Sequence, residues 1–224
     1  MLGSVRTYGQ YCAMARGLDL VGDRWTLLIV RELISLGPSR YADLQRGLPG
    51  IATNLLANRL RELEHAGLVA RTELPRPANA TVFALTERGA ALEGIVREFV
   101  KWGAPLMATH APDDTFRPHW LLVPLRGLCH DATPGAPAQV VRVGTAADGC
   151  DIAADAGTVS VAPSSPSTTP DATVDGDPDA LVALFTGRLP IAAADAAGMI
   201  TGDVEAVRRV VGGTPASLGA QGSA

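Results

Sequence analysis

Between Ile51 and Gly67 the apolar side chains return every three or four residues. Leu56, Leu60 and Leu63 make one stripe, while Thr53, Asn54, Ala57, Asn58 and Arg61 fall on the other faces. That period predicts an amphipathic helix with its leucines inward and Gly67 as its C-terminal stop. Earlier, Met14, Leu18 and Val21 predict a short helix over Cys12–Val21 after a flexible lead-in at residues 1–10. Asp23 is the expected N-cap of a helix Arg24–Leu36, which Gly37-Pro38 ends. Ser39 is the expected cap of a helix Tyr41–Leu48. Val69–Leu74 and Thr81–Leu85 are β-prone runs separated by Pro75–Ala80, a stiff hairpin tip carrying Arg76. Thr86 is expected to cap a helix running to about Trp102, with Leu92, Ile95, Val96, Phe99 and Trp102 on one face.

Helix, turn, helix and hairpin in this order predict a winged helix-turn-helix. The exposed side chains of the Ile51–Gly67 helix fit a DNA groove. Asn and Arg fork onto base edges, and Thr and Arg reach phosphates. Asn54, Asn58 and Arg61 are the expected base readers; Thr53, Arg59, Arg40 and the wing's Arg76 are the expected remaining DNA contacts, the alternative for Arg59 and Arg61 being surface charge pairing with Glu62 and Glu64.

After Ala111 the pattern changes. His119–Cys129 reads as a helix; Val140–Thr145, Asp151–Ala154 and Thr158–Ala162 read as strands, with Ala172–Val174 and Met199–Thr201 as shorter ones. Asp177 with Pro178 opens a helix to Phe185, and Asp203 caps Val204–Val211. The expected division is a DNA-binding and dimerisation domain at 1–110, a linker at 111–116, a second domain at 117–212 and a disordered tail at 213–224. The fold class is α+β in both parts.

Charge follows this division. Residues 1–110 carry 13 Lys and Arg against 10 Asp and Glu, a net +3; residues 111–224 carry 6 against 13, a net −7. The basic half suits phosphate. No run is apolar and long enough to span a bilayer and no basic-then-apolar leader opens the chain, so a cytoplasmic protein is expected. Cys12, Cys129 and Cys150 are odd in number and form no CxxC, which argues against a disulfide framework or structural zinc. No nucleophile–base pair, metal cluster or phosphate loop is visible, so neither enzyme nor cofactor is expected.

Ordered motifs sharpen this reading. Tyr11–Leu33 (YCAMARGLDLVGDRWTLLIVREL), Arg40–Leu44, Gly50-Ile51, Arg59–Glu64, Ala66–Val69 and Leu85–Gly89 together resemble the HxlR family of bacterial winged-helix regulators over about residues 8–103. The resemblance implies a dimeric DNA-binding transcription factor whose Ile51–Gly67 helix enters the major groove. It also implies a redox role for Cys12, because in several members the matching cysteine senses oxidants or electrophiles. The plain alternative is a small buried side chain. Ala52-Thr53 departs from the Ser-Pro of many relatives; Ala52 has nothing to cap with, so Thr53 is the expected cap.

Asp171–Pro178, Ala183–Arg188 and Gly198–Asp203 resemble the closing pattern of the sterol-carrier-protein-like α/β sandwich over about 117–212. That resemblance implies an apolar cavity, with Trp120, Leu121, Phe185 and Met199 as candidate linings for a small hydrophobic effector. The expected function is therefore a homodimeric repressor that answers such an effector. A redox-sensing regulator through Cys12 and a hydrophobic-ligand carrier with a vestigial DNA-binding head are the alternatives.

Overall fold

The computed structural model describes residues 7–77, 79–108, 111 and 113–211. The chain divides into two compact units, Met1–Pro105 and Leu106–Ala224. The expected tail at 213–224 lies outside the described residues, as do residues 1–6 of the lead-in. The rest of the lead-in is tethered rather than loose. Thr7 Oγ1 donates to Asp19 Oδ2 at 3.0 Å, and the Tyr8 N–H donates to Asp19 Oδ1 at 2.9 Å.

In the first unit α1 (Ala13–Val21) buries only Ala15, whereas α2 (Thr26–Leu36) buries Ile29, Val30, Leu33 and Ile34. Asp23 does not cap α2. The helix begins at Thr26 with Trp25 at the N-cap, because the Asp23 carboxylate is drawn to Arg59 instead. Gly37, at φ +69°, ends α2 in a conformation that favours glycine.

Ser39 does not cap the next helix either. Its hydroxyl donates back to the Gly37 carbonyl at 2.9 Å, and with Arg40 it forms β1 (Ser39–Arg40). Asp43 takes over the capping of α3 (Tyr41–Gly47), accepting from the Arg40 N–H at 3.3 Å. The end of α3 packs close to α2. A Cβ on Gly47 would lie 1.8 Å from Oε2 of Glu32, a wholly buried carboxylate that accepts from Arg31 Nη2 at 2.6 Å.

The leucine stripe behaves as expected. α4 (Thr53–His65) buries Leu56, Leu60 and Leu63 against Ile29, Leu33, Leu44, Leu48 and Phe83. Thr53 is not the cap: Ala52 occupies that place without a side-chain bond, and Thr53 is the first helical residue. At the other end Gly67 sits at φ +68°. The Leu68 N–H meets the Leu63 carbonyl at 2.9 Å and the Gly67 N–H meets that of Glu64 at 3.0 Å. This paired closure satisfies the last carbonyls and turns the chain directly into the hairpin.

β2 (Val69–Leu74) pairs antiparallel with β3 (Ala80–Leu85), Val69 opposite Leu85, and β1 adds to the far side of β3. Thr86 caps as expected, accepting from the Gly89 N–H at 3.0 Å and donating to the Gly67 carbonyl at 2.7 Å. The helix it opens is broken, however, into α5 (Glu87–Ala90) and α6 (Glu93–Gly103). Of the expected apolar face only Val96 is buried; Ile95, Phe99 and Trp102 are 52%, 59% and 70% exposed.

In the second unit a 3₁₀ turn, Pro118–Leu121, leads into α7 (Leu122–Leu128). Then come β4 (Gln139–Gly144), β5 (Gly149–Asp155), β6 (Thr158–Pro163) and β7 (Ala172–Val174). α8 (Pro178–Phe185), α9 (Ile191–Ala196), β8 (Ile200–Gly202) and α10 (Val204–Val211) complete it. The sheet order is β6-β5-β4-β7-β8, with β4 and β7 parallel and the other neighbours antiparallel. Asp177 caps α8 through the Ala180 N–H at 2.8 Å, and Asp203 accepts from the Glu205 N–H at 2.9 Å. α9 escapes the sequence reading because IAAADA has too few large apolar residues to show a period.

Among the described residues, two buried ion pairs cross this unit. Arg142 and Asp151 face each other on β4 and β5 and bond at 2.7 and 2.8 Å. Arg142 also donates to the Ser165 and Thr168 carbonyls, fastening the loop after β6. Arg209 on α10 grips Asp131 through Nε at 2.8 Å and Nη2 at 2.9 Å, while the Thr133 and Gly157 N–H groups also donate to that carboxylate. Breaking such a pair leaves a buried charge uncompensated.

The Arg209 guanidinium, with those backbone donors, holds the Asp131 carboxyl well below its usual value of 3.8. The unfolded chain therefore takes up this proton first as pH falls, and the unfolded state gains from acidification. The contribution of Asp131 is complete above the ordinary aspartate range and is lost progressively below it. Urea denaturation of Asp131→Asn and the natural chain, followed by circular dichroism from about pH 6 down to about pH 2, should show this. Asp131→Asn is less stable at the upper end, and the gap narrows steadily with acid.

Candidate nucleic-acid interface

The leucine stripe of α4 decides which side chains remain outside. With Leu56, Leu60 and Leu63 inward, Thr53, Asn54, Asn58 and Arg61 are all exposed. Asn58 and Arg61 lie one turn apart and touch: the Arg61 Nη2 donates to the Asn58 side-chain oxygen, and its Nε reaches the Ala57 carbonyl at 3.3 Å. Each long polar group thus limits the freedom of the other, which lowers the entropy lost when either is fixed by a partner.

The first turn of α4 is braced from α3. The Tyr41 hydroxyl donates to the Thr53 carbonyl at 2.7 Å, and Gln45 Nε2 donates to Thr53 Oγ1 at 2.9 Å. Neither Tyr41 nor Gln45 was expected from the sequence. The available signal is the four-residue spacing that puts both on one face of α3, but nothing in the sequence says that this face meets Thr53.

Arg59 stands apart from this group. Its side chain is only 21% exposed, and its Nη1 pairs with both Asp23 and Glu62. Its Nε is buried without a hydrogen-bond partner. The guanidinium therefore ties α4 to the segment before α2 rather than joining the exposed face.

The remaining expected contacts surround α4. Arg40 is exposed at the start of α3, and Arg76 is exposed in the β2–β3 turn between Pro75 and Pro77. On the strands behind that turn, Glu73 accepts from Arg71 at 3.0 Å and from Thr81 at 2.8 Å. Those donors pull the Glu73 carboxyl below its usual value. Arg71 is thus locally neutralised, while Arg76 has the tip to itself as a cation.

The second group of expected residues lies in the other unit. Leu121, Phe185 and Met199 are buried, and Trp120 is half-buried in edge-on contact with Phe116 at 6.4 Å. These are the surroundings of core side chains. Cys12 is exposed at the N-cap of α1 rather than buried within this chain. Arg16, one turn on, pairs with Asp19 at 3.7 Å. Cys129 and Cys150 are more enclosed, and burial pushes each thiol up to about 12.

Among the described residues no three His, Cys, Asp or Glu side chains gather as a metal site. No helix among them is long and apolar enough to cross a membrane.

Comparison with known proteins converges on the first unit. The family model described as HxlR-like helix-turn-helix matches residues 20–111. The HTH-type transcriptional regulator YodB of Bacillus subtilis is 36% identical over 89 residues, which span 40% of this chain and 79% of that protein. The uncharacterised HTH-type regulator YvaP of the same organism is 34% identical over 87 residues, spanning 39% of this chain and 80% of YvaP. A solved structure of reduced YodB from B. subtilis matches at 34% identity, with a TM-score of 0.38, covering 42% of this chain and 92% of that one.

Proposed function

The chain belongs to the HxlR-like helix-turn-helix family of DNA-binding transcription regulators, and we propose that it acts as a homodimeric repressor that releases its operator when a small apolar effector binds. The observation that carries the DNA-binding half of this reading is the outer face of α4. It presents Thr53, Asn54, Asn58 and Arg61 together on a helix whose opposite face is fully buried. Asn54, Asn58 and Arg61 read base edges, while Thr53, Arg40 and Arg76 hold the sugar-phosphate backbone. Arg59, bound to Asp23 and Glu62, sets the seat of α4 and contributes to phosphate binding only through its charge.

The dimer rests on the face of α6. Ile95, Phe99 and Trp102 are more than half exposed, and the two aromatic rings lie 5.6 Å apart. A contiguous apolar patch of this kind on a soluble domain marks an interaction surface. A second copy suits it, because two reading heads related by a two-fold axis match paired half-sites.

The effector role is assigned to the second unit. Its mixed five-stranded sheet with flanking helices supports the sterol-carrier-like reading, and the effector is proposed to part the core around Leu121, Trp120, Phe185 and Met199. An effector acts here by favouring one dimer geometry over another. A second reading, redox control through Cys12, is favoured by the exposure of that thiol alone among the three.

Three outcomes test these assignments. Arg61→Ala should weaken binding to a preferred duplex by about 1–3 kcal/mol, whereas Arg76→Ala should weaken all duplexes alike and reduce the salt slope by about one; fluorescence anisotropy at several salt concentrations separates the two. Trp102→Glu places a charge in the proposed interface and should yield a folded monomer by sedimentation. Peroxide treatment should leave DNA affinity unchanged. A loss of affinity that Cys12→Ser abolishes would move the signal from the second unit to Cys12.

A further inference from the structure

The two bonds from α3 to Thr53 do more than hold a helix end. A hydroxyl has one proton to give and two lone pairs to receive with. Gln45 Nε2 occupies one lone pair of Thr53 Oγ1 at 2.9 Å. Within a helix a threonine often gives its proton to the carbonyl three or four residues back. Thr53 is the first residue of α4, so no preceding helical turn offers that carbonyl. The Tyr41 hydroxyl fixes the Thr53 carbonyl from the same side at 2.7 Å, so the backbone of this turn is fixed as well as the hydroxyl. Thr53 itself is exposed, while Tyr41 and Gln45 are half-buried beneath it.

We infer that Gln45, with Tyr41, is a positioning residue for DNA recognition: it presents the Thr53 hydroxyl outward as a fixed hydrogen-bond donor to an acceptor oxygen or nitrogen of the duplex. This rests on the reading of α4 as the helix that meets DNA. The donor polarity selects its partner. It suits a phosphate oxygen, or the major-groove acceptors of guanine, adenine and thymine, and with one lone pair taken by Gln45 the hydroxyl has only one left to offer the amino groups of cytosine and adenine. The side-chain pair thereby favours the donor polarity as well as fixing the position, and orienting the hydroxyl before binding saves the entropy of fixing it afterwards.

The test uses the full chain and a duplex that the natural protein enriches from a random-sequence library. Gln45→Met and Thr53→Val should each weaken binding to that duplex by about 3- to 10-fold, the worth of one hydrogen bond. The double variant should be no weaker than the worse single one, and Thr53→Ser should stay within about 2-fold of the natural chain. Equal losses on enriched and scrambled duplexes place the acceptor on phosphate; losses confined to the enriched duplex place it on a base edge, and either result supports the inference. Gln45→Glu keeps the side-chain length but can only accept, which reverses the bond and draws the Thr53 proton inward. It should therefore cost more in the natural background than beside Thr53→Val, whose side chain has no hydroxyl to redirect. Additive losses, an unaffected Gln45→Met, or an equal cost of Gln45→Glu in both backgrounds would overturn the inference. If the library yields no enriched sequence, the DNA reading of α4 fails, and this inference fails with it in a visibly different way.

Discussion

Burial of Leu56, Leu60 and Leu63 fixes the rotation of α4 about its own axis, and the rest of the first unit follows from that rotation. Three leucines at most 2% exposed, each contributing roughly 1.5–3 kcal/mol on burial, make any other rotation of the helix prohibitive. Once the stripe is inward, Thr53, Asn54, Asn58 and Arg61 have nowhere to go but outward. The same packing brings Arg59 round to Asp23, so a carboxylate that would suit the start of α2 serves α4 instead. The two-bond closure at Gly67 then sends the chain straight into β2, which sets where the Arg76 turn stands relative to the exposed face of α4.

How much of this could be read from the sequence depends on whether the deciding force was local. Leu56, Leu60 and Leu63, the Gly67 stop, the Thr86 cap and the Asp177-Pro178 helix start were legible because period and terminus chemistry are written in neighbouring residues. Asp23, Ser39 and Thr53 were each expected to cap a helix, and none does. In every case a tertiary or backbone partner takes the side chain: Arg59 for Asp23, the Gly37 carbonyl for Ser39, Gln45 for Thr53. A short polar side chain satisfies one strong bond at a time, and the sequence does not disclose which partner the fold will bring. Arg59 on α4 illustrates the same point: its spacing allows either a phosphate or the neighbouring Glu62, and the second carboxylate, Asp23, is brought by the fold.

The second unit follows a different rule. Its charges are mostly acidic, yet two of its arginines are buried, Arg142 answering Asp151 on the neighbouring strand and Arg209 answering Asp131 from 78 residues away. Arg142 and Asp151 set the register of β4 on β5, because a one-residue slip would leave two charges unpaired in the interior. Arg209 and Asp131 then close α10 over the segment before β4. A sheet in which two neighbouring strands, β7 and β8, are only three residues long gains specificity from such pairs that short ladders alone do not provide.

The exposed face of α6 connects to the first turn of α4 through contacts that can be followed residue by residue. An eleven-residue helix is too short to be stable alone in water, and α6 buries only Val96, so it depends on the surface it lies against, which is α2. α2 carries Ile29 and Leu33 into the core shared with α4, and its Glu32 fills the space that the missing side chain of Gly47 leaves at the end of α3. α3 in turn holds the first turn of α4 through Tyr41 and Gln45. Interiors packed at this density transmit displacement rather than absorb it. Whatever occupies Ile95, Phe99 and Trp102 therefore lies at one end of a continuous run of contacts, from α6 through α2 and α3, that ends at the Thr53 turn.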